Sequence, residues 1–160
     1  MKNNIISMPS PFPRNKRGNH PKRVILHAMG EYFSHKGRIM HAEEFLREIG
    51  LVAHFLVTPS GVGIRTLSDD ICGSHAKGHN TDTLGIEFLV PGLQNLESFY
   101  EDIKLPYLTN AAYKTGQEIV KNWMQLYPIE VVTAHSVIDP DRKKDPGTGF
   151  PKQFYVDLYL

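Results

Sequence analysis

The chain has 160 residues, of which 41% are hydrophobic and 22% are charged, and these values fit one globular domain with a single core. Its 18 Lys and Arg residues nearly balance its 17 Asp and Glu residues, so the formal net charge is +1. This balance gives the whole chain no electrostatic reason to bind nucleic acid or an acidic membrane surface. No apolar run approaches the length of a membrane span, so we also expect no membrane association.

The first part of the chain differs in composition from the rest. Residues 1–21 are rich in Pro, Asn and basic side chains, which favours an extended arm, with a single domain over residues 22–160. The apolar run before Pro9 consists of Ile5 and Ile6 alone, and two residues are too few for the apolar region of a signal peptide. Cys72 is the single cysteine, so no disulfide can form within the chain.

The first half of the domain contains signals for a strand, a helix and a hairpin. The run RVILH, residues 23–27, predicts a buried strand followed by a loop at Gly30. Apolar side chains recur every three or four positions over residues 39–49 and Gly50 follows them, a pattern typical of a helix and its C-cap. The Pro59-Ser60-Gly61 turn lies between two β-prone runs, residues 54–57 and 62–67, which predicts a hairpin.

The second half continues the alternation of strands and helices. Residues 83–90 (TLGIEFLV) predict a central strand, and residues 109–127 predict a long helix that Pro128 ends. Residues 129–134 (IEVVTA) predict another strand, and the Asp, Pro and Gly content of residues 139–149 predicts a loop. The expected fold class is therefore α/β, with a central mixed β-sheet flanked by α-helices.

Three side chains form a candidate metal site. His27 and His135 each follow an apolar strand, and Asp145 lies ten residues after His135 in the Pro- and Gly-rich loop. Two imidazoles and one carboxylate suit Zn²⁺ and leave a fourth position open for water, as catalysis requires. The alternative is that both histidines bond to the backbone and Asp145 caps a turn, because no compact zinc motif is present.

Two further charged residues are candidates for catalysis. Glu87 interrupts an apolar strand, and burying its carboxylate without a partner would cost several kcal/mol, so it faces a cleft as a general base or finds an ion pair. Lys143 lies two residues before Asp145, where its ammonium group can stabilise a developing oxyanion. The alternative for Lys143 is a solvated basic loop.

Three segments together resemble a known family. VTAHSVIDPDRKKDPGTGF (132–150), CGSHAKGHNTDTLGIEF (72–88) and RVILHAMGEY (23–32) resemble segments of the type 2 N-acetylmuramoyl-L-alanine amidases, which share their fold with the peptidoglycan recognition proteins. The resemblance implies Zn²⁺ held by His27, His135 and Asp145, with Lys143 near the reacting carbonyl and Glu87 as catalytic acid or base. It also implies that His75 and Asn80 contact substrate, although Asn80 could simply form a turn.

The resemblance also sets expectations for function. It implies hydrolysis of the amide between N-acetylmuramic acid and L-alanine in peptidoglycan, most simply by a monomeric lytic enzyme like those of phages. Such an enzyme would be cytoplasmic in the producing cell and act on the cell wall after release. The alternatives are a muropeptide-recycling amidase, an unrelated zinc hydrolase and a non-catalytic peptidoglycan-binding module. One departure is Ala53, which stands where phage members carry a catalytic tyrosine.

Overall fold

A computed structural model describes residues 4–12 and 14–160. Its centre is a seven-stranded sheet in which β2 and β6 are parallel neighbours. The order across the sheet is β1-β5-β4-β6-β2-β3, and β7 pairs with β2 beside β3. Parallel and antiparallel pairs both occur, so the predicted mixed sheet is confirmed. The strands are β1 (Ile5–Ser7), β2 (Arg23–His35), β3 (Arg38–His41), β4 (Phe55–Val57), β5 (Gly63–Arg65), β6 (Thr83–Gln94) and β7 (Val131–Ala134).

Helices cover both faces of this sheet. The helices are α1 (Ala42–Ile49), α2 (Leu96–Asp102), α3 (Asn110–Leu126), α4 (His135–Ile138) and α5 (Gln153–Asp157). The long helix α3 and the short helix α5 pack on one face, where Trp123 and Phe154 are fully buried. Helix α1 packs on the other face. In the part of the chain that the structure describes, no helix is both long and apolar enough to cross a membrane.

Strand alternation divides the side chains of β2 and β6 between the two faces. Leu26 and Phe88 point into the core beneath α3. Since successive side chains on a strand point to opposite faces, His27 and Glu87 point the other way. These two residues are register partners across the β2–β6 pair, and the sheet therefore presents both groups side by side on the face away from α3.

The structure corrects two boundaries near the start of the domain. Gly30 was expected in a loop, but β2 continues through it to His35, and Gly30 gives space to the Gln94 side chain on β6. Residues 39–41 were expected in the helix, but they belong to β3, which folds back on β2 through a turn at Lys36 and Gly37. The helix begins only at Ala42, and His41 caps it by accepting a hydrogen bond from the Glu43 amide.

The other predicted elements are confirmed. Strands β4 and β5 form the antiparallel hairpin, β6 is the central strand, and α3 begins after the N-cap Thr109 and ends before Pro128. Strand β7 begins at Val131, two residues later than predicted. Helices α2, α4 and α5 were not predicted, and neither was strand β1, which lies in the expected extended arm.

The N-terminal segment is attached to the domain by strand pairing and by arginine side chains. Strand β1 extends the sheet beside β5. Arg17 donates hydrogen bonds to four backbone carbonyls, those of Asp69 (2.6 Å), Ile71 (3.1 Å), Thr81 (3.1 Å) and Thr83 (3.1 Å). This one guanidinium therefore ties the segment to the loop that precedes β6.

Candidate active site

The sheet brings together the three side chains of the candidate metal site. Leu26 and Ala134 are register partners in the parallel pair β2–β7, so the residues that follow them, His27 and His135, lie side by side. The carbonyl of Asp145 accepts a hydrogen bond from the Ser136 amide at 2.9 Å. This bond holds the loop that carries Asp145 next to His135. The Nδ1 atoms of both histidines lie 3.2 Å from the same oxygen, Asp145 Oδ2.

The geometry and protonation of this cluster fit a divalent metal. Ligand atoms about 2.0–2.2 Å from a tetrahedral zinc lie roughly 3.3–3.5 Å apart, close to the 3.2 Å separations seen here. Burial raises the pKa of the Asp145 carboxyl, but hydrogen bonds from His135 and His27 outweigh it and hold that pKa well below its ordinary value. Burial lowers the pKa of His27. An ionised carboxylate and a neutral imidazole are the forms that bind metal.

His75 supplies the outer partner of His27. Its Nδ1 lies 2.9 Å from His27 Nε2, and its Nε2 lies 3.4 Å from the Thr83 hydroxyl, which donates to the His79 carbonyl at 2.7 Å. When His27 Nδ1 is a metal ligand, its Nε2–H donates to His75 and His75 donates to Thr83, so every donor meets an acceptor. This chain of contacts fixes the ring of His27 with Nδ1 towards Asp145.

Glu87 lies beside the cluster and is largely buried from solvent. Its side chain is buried, and within residues 4–12 and 14–160 its Oε2 atom has no hydrogen-bond partner. Burial, reinforced by the nearby negative charge of Asp145, raises the pKa of Glu87 well above its ordinary value, and Lys143 only partly opposes this. A carboxyl group with a raised pKa and a free oxygen is suited to act as a general acid or base.

A cavity of about 230 Å³ contains these groups. His27, His75, Glu87, His135, Lys143 and Asp145 line it together. Apolar side chains of α1 and α2, including Phe45, Leu46, Phe99 and Tyr100, form its walls. A larger cavity of about 530 Å³ lies elsewhere, beside Arg65 and Tyr127. We place the chemistry in the smaller cavity, because it alone of the two gathers the candidate ligands and the buried acid.

The structure places Asn80 outside this lining. Its side-chain oxygen accepts hydrogen bonds from the amides of His75 and Ala76, each at 3.0 Å. Asn80 therefore holds the loop that carries His75, which is the alternative that the sequence left open, and direct contact with substrate stays a prediction. Ala53 lines the cavity as a buried small residue and offers no hydroxyl there.

Sequence reasoning missed the wall formed by α2 and the residue that supports the Asp145 loop. Asn95 and Ser98 form a reciprocal capping box at the start of α2, and this pairing was a readable signal. Tyr107 donates a hydrogen bond to the Pro146 carbonyl at 2.9 Å. No sequence spacing indicates that contact, since it joins two loops 39 residues apart.

Comparisons with known proteins agree on one family and one fold. The family model described as N-acetylmuramoyl-L-alanine amidase matches residues 17–148, whereas no curated protein gives a significant match. The solved structure of the amidase LysC from Clostridium intestinale URNW has a TM-score of 0.70 at 19% identity, over 98% of this chain and 97% of that one.

Two further solved structures have the same fold. A derivative of AmpD has a TM-score of 0.73 at 21% identity, and the match covers 99% of this chain and 96% of the AmpD chain. Human PGRP-IBETAC, solved in complex with glycosamyl muramyl pentapeptide, has a TM-score of 0.64 at 15% identity, over 99% and 96% of the two chains. These similarities show the fold that the sequence motifs implied.

Proposed function

Because the chain belongs to the N-acetylmuramoyl-L-alanine amidase family, we propose that it is a zinc-dependent enzyme that hydrolyses the amide between N-acetylmuramic acid and L-alanine in peptidoglycan. The observation that carries this proposal is the convergence of His27, His135 and Asp145 in one cavity with Glu87 and Lys143. The similar fold that holds a muramyl pentapeptide supports a peptidoglycan fragment as the substrate.

The metal site is assigned from its donor set. His27, His135 and Asp145 would hold Zn²⁺, which would supply Lewis acidity and make water more acidic. His75 orients His27, and the backbone contact between Asp145 and Ser136 orients the carboxylate. The cluster is thus assembled by the fold before any ligand arrives.

Glu87 would transfer the protons, and Lys143 would stabilise the negative charge that develops on the substrate. Glu87 takes a proton from the attacking water and gives it to the departing nitrogen of L-alanine, a task for which its raised pKa suits it. Lys143 lines the same cavity, where its ammonium group stabilises negative charge on the carbonyl oxygen as the carbon becomes tetrahedral. Glu87 would also take on the role of the phage tyrosine, since the side chain of Ala53 has no group that can hydrogen-bond.

A product assay tests the reaction. Purified zinc-loaded protein is incubated with cell-wall digests, and mass spectrometry follows new peptides with a free L-alanine amino terminus. We expect such peptides with the wild type, strong loss with Glu87→Gln, and loss on adding EDTA. Binding of muropeptides without any cleavage would make the chain a non-catalytic binding module, and cleavage of a different amide would make it another kind of hydrolase.

The biological role that we propose is lytic. The segment CGSHAKGHN, residues 72–80, supports it through its resemblance to phage amidases. The test compares the release of L-alanine-led peptides from intact cell-wall sacculi and from soluble muropeptides at equal substrate concentration. Rapid cleavage of sacculi is expected, whereas cleavage of soluble muropeptides alone would favour the recycling role.

A further inference from the structure

One arginine of the N-terminal segment holds both ends of the loop that carries His75. This loop, residues 72–82, leaves Ile71 and returns to the sheet at Thr83, the first residue of β6. The Nη2 atom of Arg17 donates to the carbonyls of Ile71 and Thr83, each at 3.1 Å. Its Nε and Nη1 atoms donate to two further carbonyls beside these ends, at 2.6 and 3.1 Å. A single guanidinium therefore closes the base of this segment, which we call the His75 loop.

The imidazole of His75 lies in a narrow slot between two glycines. A Cβ atom at Gly73 would lie 2.6 Å from His75 Cδ2, and a Cβ atom at Gly85 would lie 2.6 Å from His75 Nδ1. The Thr83 hydroxyl lies 3.4 Å from His75 Nε2. Each glycine follows one of the two carbonyls that Nη2 of Arg17 holds, at a distance of two residues. The width of the slot therefore depends on how closely Arg17 holds the two ends of the His75 loop together.

We propose that Arg17 is a positioning residue for the metal centre and that it acts through His75. The inference rests on the proposed function, because it concerns the metal ligand His27. By closing the His75 loop, Arg17 keeps His75 Nδ1 2.9 Å from His27 Nε2. This contact directs His27 Nδ1 towards Asp145, as outer partners of metal-binding histidines do. Without Arg17 the slot widens, and His27 loses the partner that fixes its ring.

A guanidinium suits this task better than an ammonium group. Its planar fork donates in several fixed directions at once, whereas the ammonium group of lysine acts from a single point. Arg17→Lys therefore keeps the charge but not the set of four bonds, and Arg17→Ala removes all of them. The matched control is Arg14→Ala. Arg14 belongs to the same N-terminal segment, but it donates to the Gly50 carbonyl at 2.5 Å, at the end of α1 rather than at the His75 loop.

A double-mutant cycle between Arg17 and His75 tests the proposal without measuring turnover. Competition with a chelator gives the zinc dissociation constant of the wild type, Arg17→Ala, His75→Ala and the variant that combines both substitutions. We expect each single substitution to weaken zinc binding on the order of tenfold, as for other lost outer partners of metal ligands. The combined variant should match His75→Ala within about twofold, because Arg17 has no further effect once His75 is absent. Arg14→Ala should bind zinc as the wild type does.

A second measurement follows the His75 loop in the metal-free protein. The amides of His75 and Ala76 both donate to the side-chain oxygen of Asn80 at 3.0 Å, so their hydrogen exchange, observed by NMR, reports whether the loop opens. Exchange at these two amides should be faster in Arg17→Ala than in the wild type and unchanged in Arg14→Ala.

Two results would overturn the proposal. One is a zinc dissociation constant that Arg17→Ala leaves unchanged. The other is an equal effect of Arg17→Ala with and without His75, since Arg17 would then act on the domain in general and not through His75. If Arg17→Ala does not fold, Arg17→Lys takes its place in the cycle, with a smaller loss that again disappears in the His75→Ala background. Failure of the wild type to cleave wall digests would overturn the proposed function instead, because zinc binding is measured separately.

Discussion

Glu87 and His27 are neighbours on adjacent strands, but they differ in their surroundings. His27 shares the oxygen of Asp145 with His135, whereas one oxygen of Glu87 is buried without a partner among the described residues. We therefore expect His27→Ala to lose bound zinc and activity together. We expect Glu87→Gln, which keeps the shape of the side chain, to retain zinc and slow turnover by about 10²-fold or more.

Metal analysis by mass spectrometry and the turnover number, measured on the same samples, check this division of roles. His135→Ala serves as a second ligand variant and should behave as His27→Ala does. Zinc retained by His27→Ala would remove that residue from the ligand set. Zinc lost from Glu87→Gln would move Glu87 into it.

His54 is a buried histidine that makes the protein sensitive to acid. Its Nδ1 accepts from the Gly85 amide at 3.0 Å, so its proton is on Nε2, which donates to the Ile71 carbonyl at 3.0 Å. Burial is the main cause that lowers the pKa of His54 from 6.5 to about 4. Between pH 6.5 and 4, His54 is protonated in the unfolded chain but remains neutral in the folded chain. Stability is thus complete above pH 6.5 and falls as the pH drops towards 4, by up to about 3 kcal/mol.

Urea unfolding at several pH values, with a chelator present, measures this dependence. His54→Gln removes the titrating group, so its unfolding free energy should change less between pH 6.5 and 4 than that of the wild type. Part of the dependence remains, because burial also lowers the pKa values of His27 and His75. Identical pH profiles for the variant and the wild type would contradict the assignment.

The residues of the candidate site differed in how well the sequence predicted their positions. His27, Glu87 and His135 line the cavity, and they could be singled out because a polar residue in or after an apolar strand indicates an exposed cleft or a buried partner. The contact between His75 and His27 was not foreseen. Its signal was Gly85, since a Cβ there would lie 2.6 Å from the His75 ring. A glycine inside a buried strand indicates such an approach but does not identify the partner.

At the scale of elements, α3 packs closely on the sheet through Gly116. A Cβ at this position would lie 2.5 Å from Phe88 Cε1 and 3.2 Å from Phe154 Cε2. Alanine improves helix propensity by about 1 kcal/mol, but overpacking a core costs about 1–3 kcal/mol. We therefore expect Gly116→Ala to lower the unfolding free energy by about 1 kcal/mol, or more where the rings cannot move. Gly18→Ala, where no atom lies within 4 Å, is the control and should leave it within about 0.5 kcal/mol. An unchanged or increased value for Gly116→Ala would show that the rings move freely.

Elements with strong periodicity were predicted well, and short ones were not. The apolar face of α3 and the continuous apolar run of β6 identify both elements. Strand β3 has only four residues, two of them exposed, and forms through its pairing with β2. Helix α2 buries no residue fully, so it shows little of the periodic pattern that marks a helix. For such elements long-range contacts decide the structure.

At the scale of the whole molecule, folding itself assembles the candidate metal site. His27 and Asp145 are 118 residues apart in sequence, and the parallel β2–β7 pair together with the Asp145 loop joins them. Such a ligand set exists only in the folded chain, so metal binding must stabilise folding. A metal bound at this site would therefore raise the stability of the entire domain.

The resulting prediction concerns the unfolding free energy as a function of zinc concentration. Once zinc exceeds its dissociation constant, each tenfold increase should add about 1.4 kcal/mol, without a change in the urea m-value. Asp145→Ala should abolish this increase because it removes the carboxylate that both histidines share. Lys143→Gln should keep it, since Lys143 lines the cavity without belonging to the ligand cluster. A wild type whose stability does not respond to zinc, or an Asp145→Ala variant that responds equally, would exclude these residues as the metal centre. Lys143 and Asp145 lie two residues apart in the same loop. A general disturbance of the loop would therefore affect both variants, whereas loss of a metal ligand affects only Asp145→Ala.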